Sequence, residues 1–567
     1  MRRRPPTLPQ QDGFIGQAGR ELELAAARLI FAYDAAANVP MPMAQSRAAL
    51  WNAPELARWF AGWAASGVRA QVDIATWRLK TRREPGLSRP SAYAELFTTY
   101  RTPDIVTTWQ ADDVFAAQRL AGLNPMALSA LDGAAGHAVL TERFVPALSS
   151  EVLEPYFGSG ATFERALAAG RLFVTDYREL GEITADADAP GWQAGRKLVA
   201  PIALFARTDA TPKLTPIAIG LGPQRTFFAR PSTPSGDEGW SLAKTFVQSA
   251  DYNYNQVVNH LAFTHLIEES FCLAMHRRLA AQHPLHRLLS KHFAALLAIN
   301  QIGVLTLISK GGIIAQILEG GLGGSIDLIR NAYASWTFAA LDYPEQIRAR
   351  GLADAATLPY FPYRDDGMLL WNLLGDYLDE YLALYYASDE DVKQDYELAA
   401  FAAQLSGGLD GGSGAIAGFP QQIAERATLR DVVRRIVWMA GPQHAAVNFP
   451  QVDYASFIPN MCAATYAPPP RGRVTPAHLL ATLAPRAETQ TQFRTAYSLA
   501  GYHYDRLLDY DLCGADASQA IVEKYFDRLT VDVTATIDAR NAERANQPGL
   551  LPYSYLLPAN VPNSSSV

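Results

Sequence analysis

Histidine is the side chain from which this sequence could build reactive chemistry, and its distribution is uneven. Six of the ten histidines (His260, His265, His276, His283, His286, His292) fall within the 33 residues from 260 to 292. Imidazole is the commonest metal ligand in proteins, so the density hints at a metal. In a run such as HPLHRLL, capping and packing explain a histidine equally well. His260 and His265 stand five residues apart. At 3.6 residues per turn their rings point about 140° away from each other. They can share an ion only if the helix widens locally, as in a π-bulge, a feature concentrated at functional sites. A second stretch, GPQHAAVNFPQ (441–451), sets His444 and Asn448 at i and i+4 on one helix face with apolar residues between. A buried His–Asn pair needs polar partners, and a satisfied core pair and a metal site both supply them.

Other chemistries lack their signatures. There is no HExxH, since Glu268 and Glu269 follow His265 outside that motif, and no GxSxG elbow. No paired ExxH suggests a di-iron bundle. The Gly-rich stretch 406–420, SGGLDGGSGAIAGFP, lacks the GxxxxGK[ST] order of a phosphate cradle and reads as a loop.

The elements that must position these residues are mostly helical. The chain has 567 residues, 49% of them hydrophobic, enough for a large core. Long helical patterns cover 241–318, 361–387 and 428–447, and further ones lie between Glu21 and about Ala65. Residues 198–221 alternate apolar and β-branched positions around a polar turn, which predicts a β-hairpin. Residues 1–13 read as a mobile Pro- and Gln-rich start. The last residues, ANVPNSSSV, have the composition of a disordered polar tail. A net charge of −7 argues against nucleic acid, and Arg434-Arg435 read as solvated. Three cysteines without a CxxC pair suit a reducing compartment. No apolar stretch follows the basic start, and no run is long enough to span a membrane. The expected location is the cytoplasm.

Several of these stretches resemble one family. HLAFTH (260–265) with the following HPLHRLL (283–289) is similar to the central iron-binding helix of lipoxygenases. QHAAVNF (443–449) resembles the family's second iron helix, and Pro562-Asn563-Ser564 its closing motif. WSLAKTFVQSAD (240–251), YFPYRDDGMLLW (360–371) and LPYSYLLP (551–558) add to the likeness, which runs from about Arg119 to Val567. The resemblance implies a mainly α catalytic domain, 119–567, around two long metal-bearing helices with a small β-hairpin region. It leaves 1–118 as a helical N-terminal extension in place of the family's β-sandwich, acting as a lid or as a membrane-contact segment carrying Trp51, Trp59, Phe60 and Trp63.

By the same resemblance the metal ligands are His260, His265, His444, Asn448 and the α-carboxylate of Val567, with Gln256 and Gln451 orienting them. This hard N/O set suits one non-haem iron, or manganese, and lacks the thiolates of structural zinc sites. Gly303 falls at the family's stereocontrol position and implies R products. Leu307, Ile314 and Leu499 resemble residues that clamp the substrate. The chain departs from the family at Val567, where Ile is usual, at Pro450, where Gly is common, and at Ser565, where an apolar residue is common. The implied activity is dioxygenation of a polyunsaturated fatty acid such as linoleate or arachidonate to a hydroperoxide. No catalytic side chain is implied beyond hydroxide on the metal. A hydroperoxide isomerase on the same fold and a non-catalytic helical lipid carrier are the alternative readings.

Overall fold

Between Gly239 and Arg278 the sequence holds no proline, and the chain forms one continuous helix there, α over Gly239–Tyr254, π over Asn255–Leu266 and α again over Ile267–Arg278. This computed structural model describes residues 5–566 except 36, 38, 52, 85–86, 145–147, 184–194, 209–212, 222–225, 233–237, 471, 502–504 and 513–515. The helix is buried along nearly its whole length, as expected of a helix that is not confined to one apolar stripe. Its buried Asp251 is paired, meeting Arg119 at 3.0 Å and accepting from Asn124 at 2.8 Å. The helix stops at Leu279, whose backbone is extended. Pro284 then opens the next helix, Pro284–His292, at a position where its missing N–H costs nothing.

A second composite helix begins at Arg426–Trp438, widens to π over Met439–Gln443 around Pro442, and returns to α over His444–Asn448. Proline cannot donate to an i→i−4 bond, which fits the widened turn. Arg434 and Arg435 on this helix are half-buried. Arg435 pairs with Asp342 at 2.5 Å, and the Arg434 guanidinium lies 4.3 Å from the Trp371 ring, so neither is a freely solvated surface position.

Around these two helices stand the antiparallel strands β1 (Ser129–Leu131), β2 (Leu172–Asp176), β3 (Pro201–Arg207), β4 (Leu214–Leu221) and β5 (Thr226–Ala229), paired in chain order. The expected hairpin is β3–β4, and it sits inside a five-stranded meander that the short flanking strands did not announce. One face of the sheet packs Phe205 on Phe115 in the main core, and the other covers a satellite cluster that includes Leu140, Phe144 and Leu153.

The N-terminal residues form helices Phe14–Ile30 and Ala53–Lys80, joined by irregular chain with one β-bridge, Tyr33 to Ala44. Their side chains enter the main core: Trp77 is fully buried, and Arg20 pairs with Glu397 at 3.1 Å. The segment 284–306 is long and apolar enough to cross a membrane by composition. It is broken at Ala295, which holds a left-handed φ of 58°, and its second half is the helix Leu296–Thr306. Cys272 and Cys462 are buried free thiols, and Cys513 lies outside the described residues.

Candidate metal centre

The widened turn that sharing an ion would demand of the five-residue spacing is present, since both His260 and His265 lie in the π segment. The Thr264 hydroxyl donates to the His260 carbonyl, the kind of side-chain to backbone bond that loosens a regular helix. Two bonds set the partner helix in register: Asn255 Nδ2 donates to the Val447 carbonyl at 2.9 Å, and Gln443 Nε2 to the Phe263 carbonyl at 3.4 Å. His444 therefore faces the pair. The ligand atoms of His260, His265 and His444 lie within 4.8 Å of one another. Nε2 of His260 is 3.3 Å from that of His444 and 3.2 Å from that of His265. Two nitrogens bound at right angles to one ion at about 2.1 Å would stand about 3 Å apart. The donor set and its spacing fit a single metal ion.

The outer nitrogens explain why the inner ones converge. His260 Nδ1 is 3.3 Å from Gln256 Oε1, and His265 Nδ1 is 3.2 Å from Asn300 Oδ1. An acceptor at Nδ1 places the ring proton there and leaves Nε2 bare. Burial lowers the proton affinity of both rings. His265 falls to about 4, partly offset by its bond to Asn300, and His260 falls well below the usual imidazole value, helped by the neighbouring His265. Both are neutral at physiological pH, as metal ligation requires.

Asn448 is fully buried, donates to the Leu499 carbonyl at 3.1 Å and accepts from Gln451 Nε2 at 2.6 Å. Gln451 thus holds Asn448, and Gln256 holds His260. Val567 lies outside the described residues. The five residues before it are far from the disordered tail their composition suggests, because Pro562 to Ser566 are all buried. The Asn563 carbonyl accepts from His292 Nδ1 at 2.8 Å, Ser564 Oγ donates to the Ala294 carbonyl at 2.7 Å, and Ser565 Oγ donates to Glu268.

The remaining clustered histidines are core residues with their own partners. His276 stacks on Phe31 at 3.8 Å, His286 faces His276 at 3.4 Å, and His283 pairs with Asp395 at 2.9 Å. Two residues that matter here were not singled out from the sequence. Asn300 sits in an apolar run that marks only a buried helix, and Glu269 followed the HxxxxH stretch without a motif. Asn300 Nδ2 donates to Glu269 Oε1 at 2.9 Å. Burial pushes the Glu269 carboxyl up to about 8, against the opposing bonds from Ala44 and Asn300.

A cavity of about 850 Å³ reaches His260 and His265. Gly303, Leu307, Ile314 and Leu499 all line it, and the helix Ala53–Lys80 forms one wall through Trp59, Trp63, Gly67, Val68 and Val72. The remaining walls are mostly aliphatic, with Tyr252, Thr306, Arg494, Thr495 and Ser498 also in the lining. A Cβ placed on Gly303 would meet only Leu307 Cδ1, at 3.8 Å.

The lipoxygenase family model matches residues 84–488, a span that includes all four candidate side-chain ligands. The chain is 34% identical over 502 residues to the linoleate 9/13-lipoxygenase of Pseudomonas aeruginosa, covering 85% of this chain and 70% of that protein. It superposes on a lipoxygenase variant crystallised anaerobically with arachidonate, with a TM-score of 0.87 and 27% identity, over 100% of this chain and 84% of that one. A coral 8R-lipoxygenase, described with a structural basis for its product chirality, gives a TM-score of 0.86 and 27% identity, over 99% and 83% of the two chains. Two long helices bring the ring nitrogens of His260, His265 and His444 within 4.8 Å of one another beside a mostly apolar cavity, and this chain belongs to the lipoxygenase family, dioxygenases that bind a non-haem metal.

Proposed function

We propose that this protein is a non-haem iron dioxygenase that converts a free polyunsaturated fatty acid of the linoleate or arachidonate type, with O2, into an R-configured hydroperoxide. The observation that carries the reading is a cluster of three buried imidazoles, two of which line an 850 Å³ cavity whose walls are mostly apolar. That volume is within the roughly 300–1,000 Å³ of small-molecule sites.

In this reading His260, His265, His444, Asn448 and the carboxylate of Val567 hold the iron. Gln256 fixes the His260 tautomer, and Gln451 fixes Asn448. Bound iron supplies the one-electron oxidation that takes a hydrogen atom from the doubly allylic carbon. The protein's own task is positioning and exclusion. Leu307, Ile314 and Leu499 press the pentadiene into place, the aliphatic walls keep water out, and the bare backbone at Gly303 leaves O2 a path to one face. The balance is one C–H and one O2 in, one C–O–O–H out. Arg494 is the one formally charged side chain among the described cavity residues, and it makes no ion pair with another described residue. A carboxylate head suits it.

Residues 1–118 are assigned as a lid over the cavity mouth that also meets lipid. Support comes from the exposed apolar face of the helix Ala53–Lys80, where Phe60, Trp63, Val68, Val72 and Leu79 are 40–69% exposed. Trp51 and Trp59 do not join that face. Trp59 is buried, and Trp51 packs edge-on against His276 at 4.2 Å.

The test uses the full-length protein stripped of metal and reloaded with Fe(II) or Mn(II). Linoleate, its methyl ester and arachidonate are offered, with O2 uptake and chiral chromatography as readouts. Fe(II)-dependent uptake and R-hydroperoxides, with the methyl ester the poorer substrate, are expected. Turnover of fatty-acid hydroperoxides without O2 uptake on the parent acids would replace the reading with an isomerase. Linoleate binding without any turnover would replace it with a carrier.

A further inference from the structure

The irregular chain between the first two helices reaches the metal centre by a route the family likeness does not predict. The strands around Tyr33 and Ala44 are closed on each other by Asp34 N–H to the Met43 carbonyl at 2.7 Å and Gln45 N–H to the Ala32 carbonyl at 2.9 Å. The bridge is fastened to the central helix, since Arg277 Nη1 donates to the Phe31 carbonyl at 2.8 Å and the Phe31 ring lies on His276. The Ala44 N–H takes no part in closing the bridge. It donates instead to Glu269 Oε2 at 2.6 Å. The other oxygen of Glu269 accepts from Asn300 Nδ2. That amide also donates to the His265 carbonyl at 2.7 Å, so its oxygen must face His265 Nδ1. Glu269 and Asn300 are 1% and 4% exposed, so bulk solvent does not reach either group.

We propose that the backbone N–H of Ala44 is the outer end of a hydrogen-bond chain, Ala44–Glu269–Asn300–His265, that positions His265 for the metal. Docking of the Tyr33–Ala44 bridge is thereby a step in building the metal site. The physical argument is one of orphaned groups. Without the Ala44 N–H, Glu269 Oε2 has no donor among the described residues, and an unpaired buried oxygen is costly. The carboxyl group turns to find a partner, Asn300 follows, and the acceptor that keeps the proton on His265 Nδ1 is displaced. Groups that orient a metal ligand through its other ring nitrogen are worth about ten- to a hundredfold in metal affinity. Ala44, Glu269 and Asn300 are positioning residues, and none of them touches substrate.

This inference rests on the metal-centre reading, and its test reads the metal without fatty acid. Full-length apoprotein is titrated with Fe(II) against a chelator, and the ferric form is recorded by EPR. Ala44→Pro deletes the one N–H. Gln45→Pro deletes a bond of the same bridge that points away from Glu269. Circular dichroism checks that each variant is folded. Ala44→Pro is expected to lose about tenfold or more in Fe(II) affinity, to change the EPR line shape, and to exceed Gln45→Pro in both. The double variant with Asn300→Leu is expected to be no weaker than Asn300→Leu alone. Should Ala44→Pro fail to fold, Glu269→Gln serves, since a carboxamide cannot accept from both donors, and the same loss is expected. Ala44→Pro no worse than Gln45→Pro, additive losses in the double variant, or Glu269→Gln equal to wild type in affinity and spectrum would each overturn the chain. Wild-type protein that binds no Fe(II) would instead overturn the metal centre itself.

Discussion

At the scale of single residues the site works by leaving things bare. Each of His260 and His265 has its outer nitrogen occupied by an amide oxygen, and burial strips the proton from the ring, so a free lone pair faces the centre at neutral pH. Gly303 leaves a different kind of gap, a missing methyl on the cavity wall. The space there accepts a Cβ with ordinary contact to Leu307 alone, so Gly303→Ala should fold as wild type does. Chiral analysis of its products from linoleate should show a shift toward S configuration at a different carbon. An unchanged profile would remove Gly303 from stereocontrol and return it to helix packing, where a glycine costs about 1 kcal/mol against alanine.

At the scale of elements, the two composite helices carry the argument. A regular α-helix would throw His260 and His265 apart. The π segment Asn255–Leu266 turns both inward, and the π turn at Met439–Gln443 precedes His444 on the partner helix. The helix Ala53–Lys80 walls the cavity through Trp63, Val68 and Val72, which are also partly open to solvent, and it carries Phe60 and Leu79 outside the cavity as exposed apolar side chains. That apolar face is expected to rest on lipid. Replacing Phe60 and Leu79 by serine should weaken co-sedimentation with phosphatidylcholine vesicles while leaving thermal stability nearly unchanged, since these side chains are exposed and lie outside the cavity lining. Equal sedimentation of variant and wild type would remove the membrane role and leave the helix as a lid.

At the scale of the whole molecule, the last described residues lie in the core. Residues 562–566 thread between the central helix and the break at Ala295, each fully or almost fully buried. In the proposed reading the Val567 carboxylate binds the metal, and a residue appended after it removes that carboxylate from the chain end, so such a protein should lose metal, measured by metal analysis after gel filtration. Full occupancy would count against the terminal carboxylate as a ligand. The same dense interior buries carboxyl groups elsewhere. Burial raises Glu319 to about 8, against opposing bonds from Ser249 and Thr465, while an unfolded glutamate titrates near 4.5. Between those values the folded protein holds a proton that the unfolded chain has released. The contribution to stability is therefore complete below about 4.5 and is lost as pH rises toward 8, by up to about 1.4 kcal/mol per pH unit. Glu319→Gln should flatten that decline in pH-dependent thermal unfolding, and parallel curves for the two proteins would show that Glu319 does not cause it.

What the sequence determined by itself was chemical identity and local geometry. The spacing of His260 and His265 showed that the two could share an ion only on a widened helix, and the pattern around His444 and Asn448 gave a shared face, because helical periodicity is a property of neighbours along the chain. Even the β3–β4 hairpin was legible in alternation. Contacts between distant residues were not. Asn300 reads as one polar residue in an apolar run until folding sets it 35 positions back, against His265. Ala44 acts through a backbone N–H that leaves no trace in residue type. The final serines look like solvated tail, and only the packed core turns them into buried, bonded groups, since burial is decided by what the rest of the chain encloses and not by the composition of the segment enclosed.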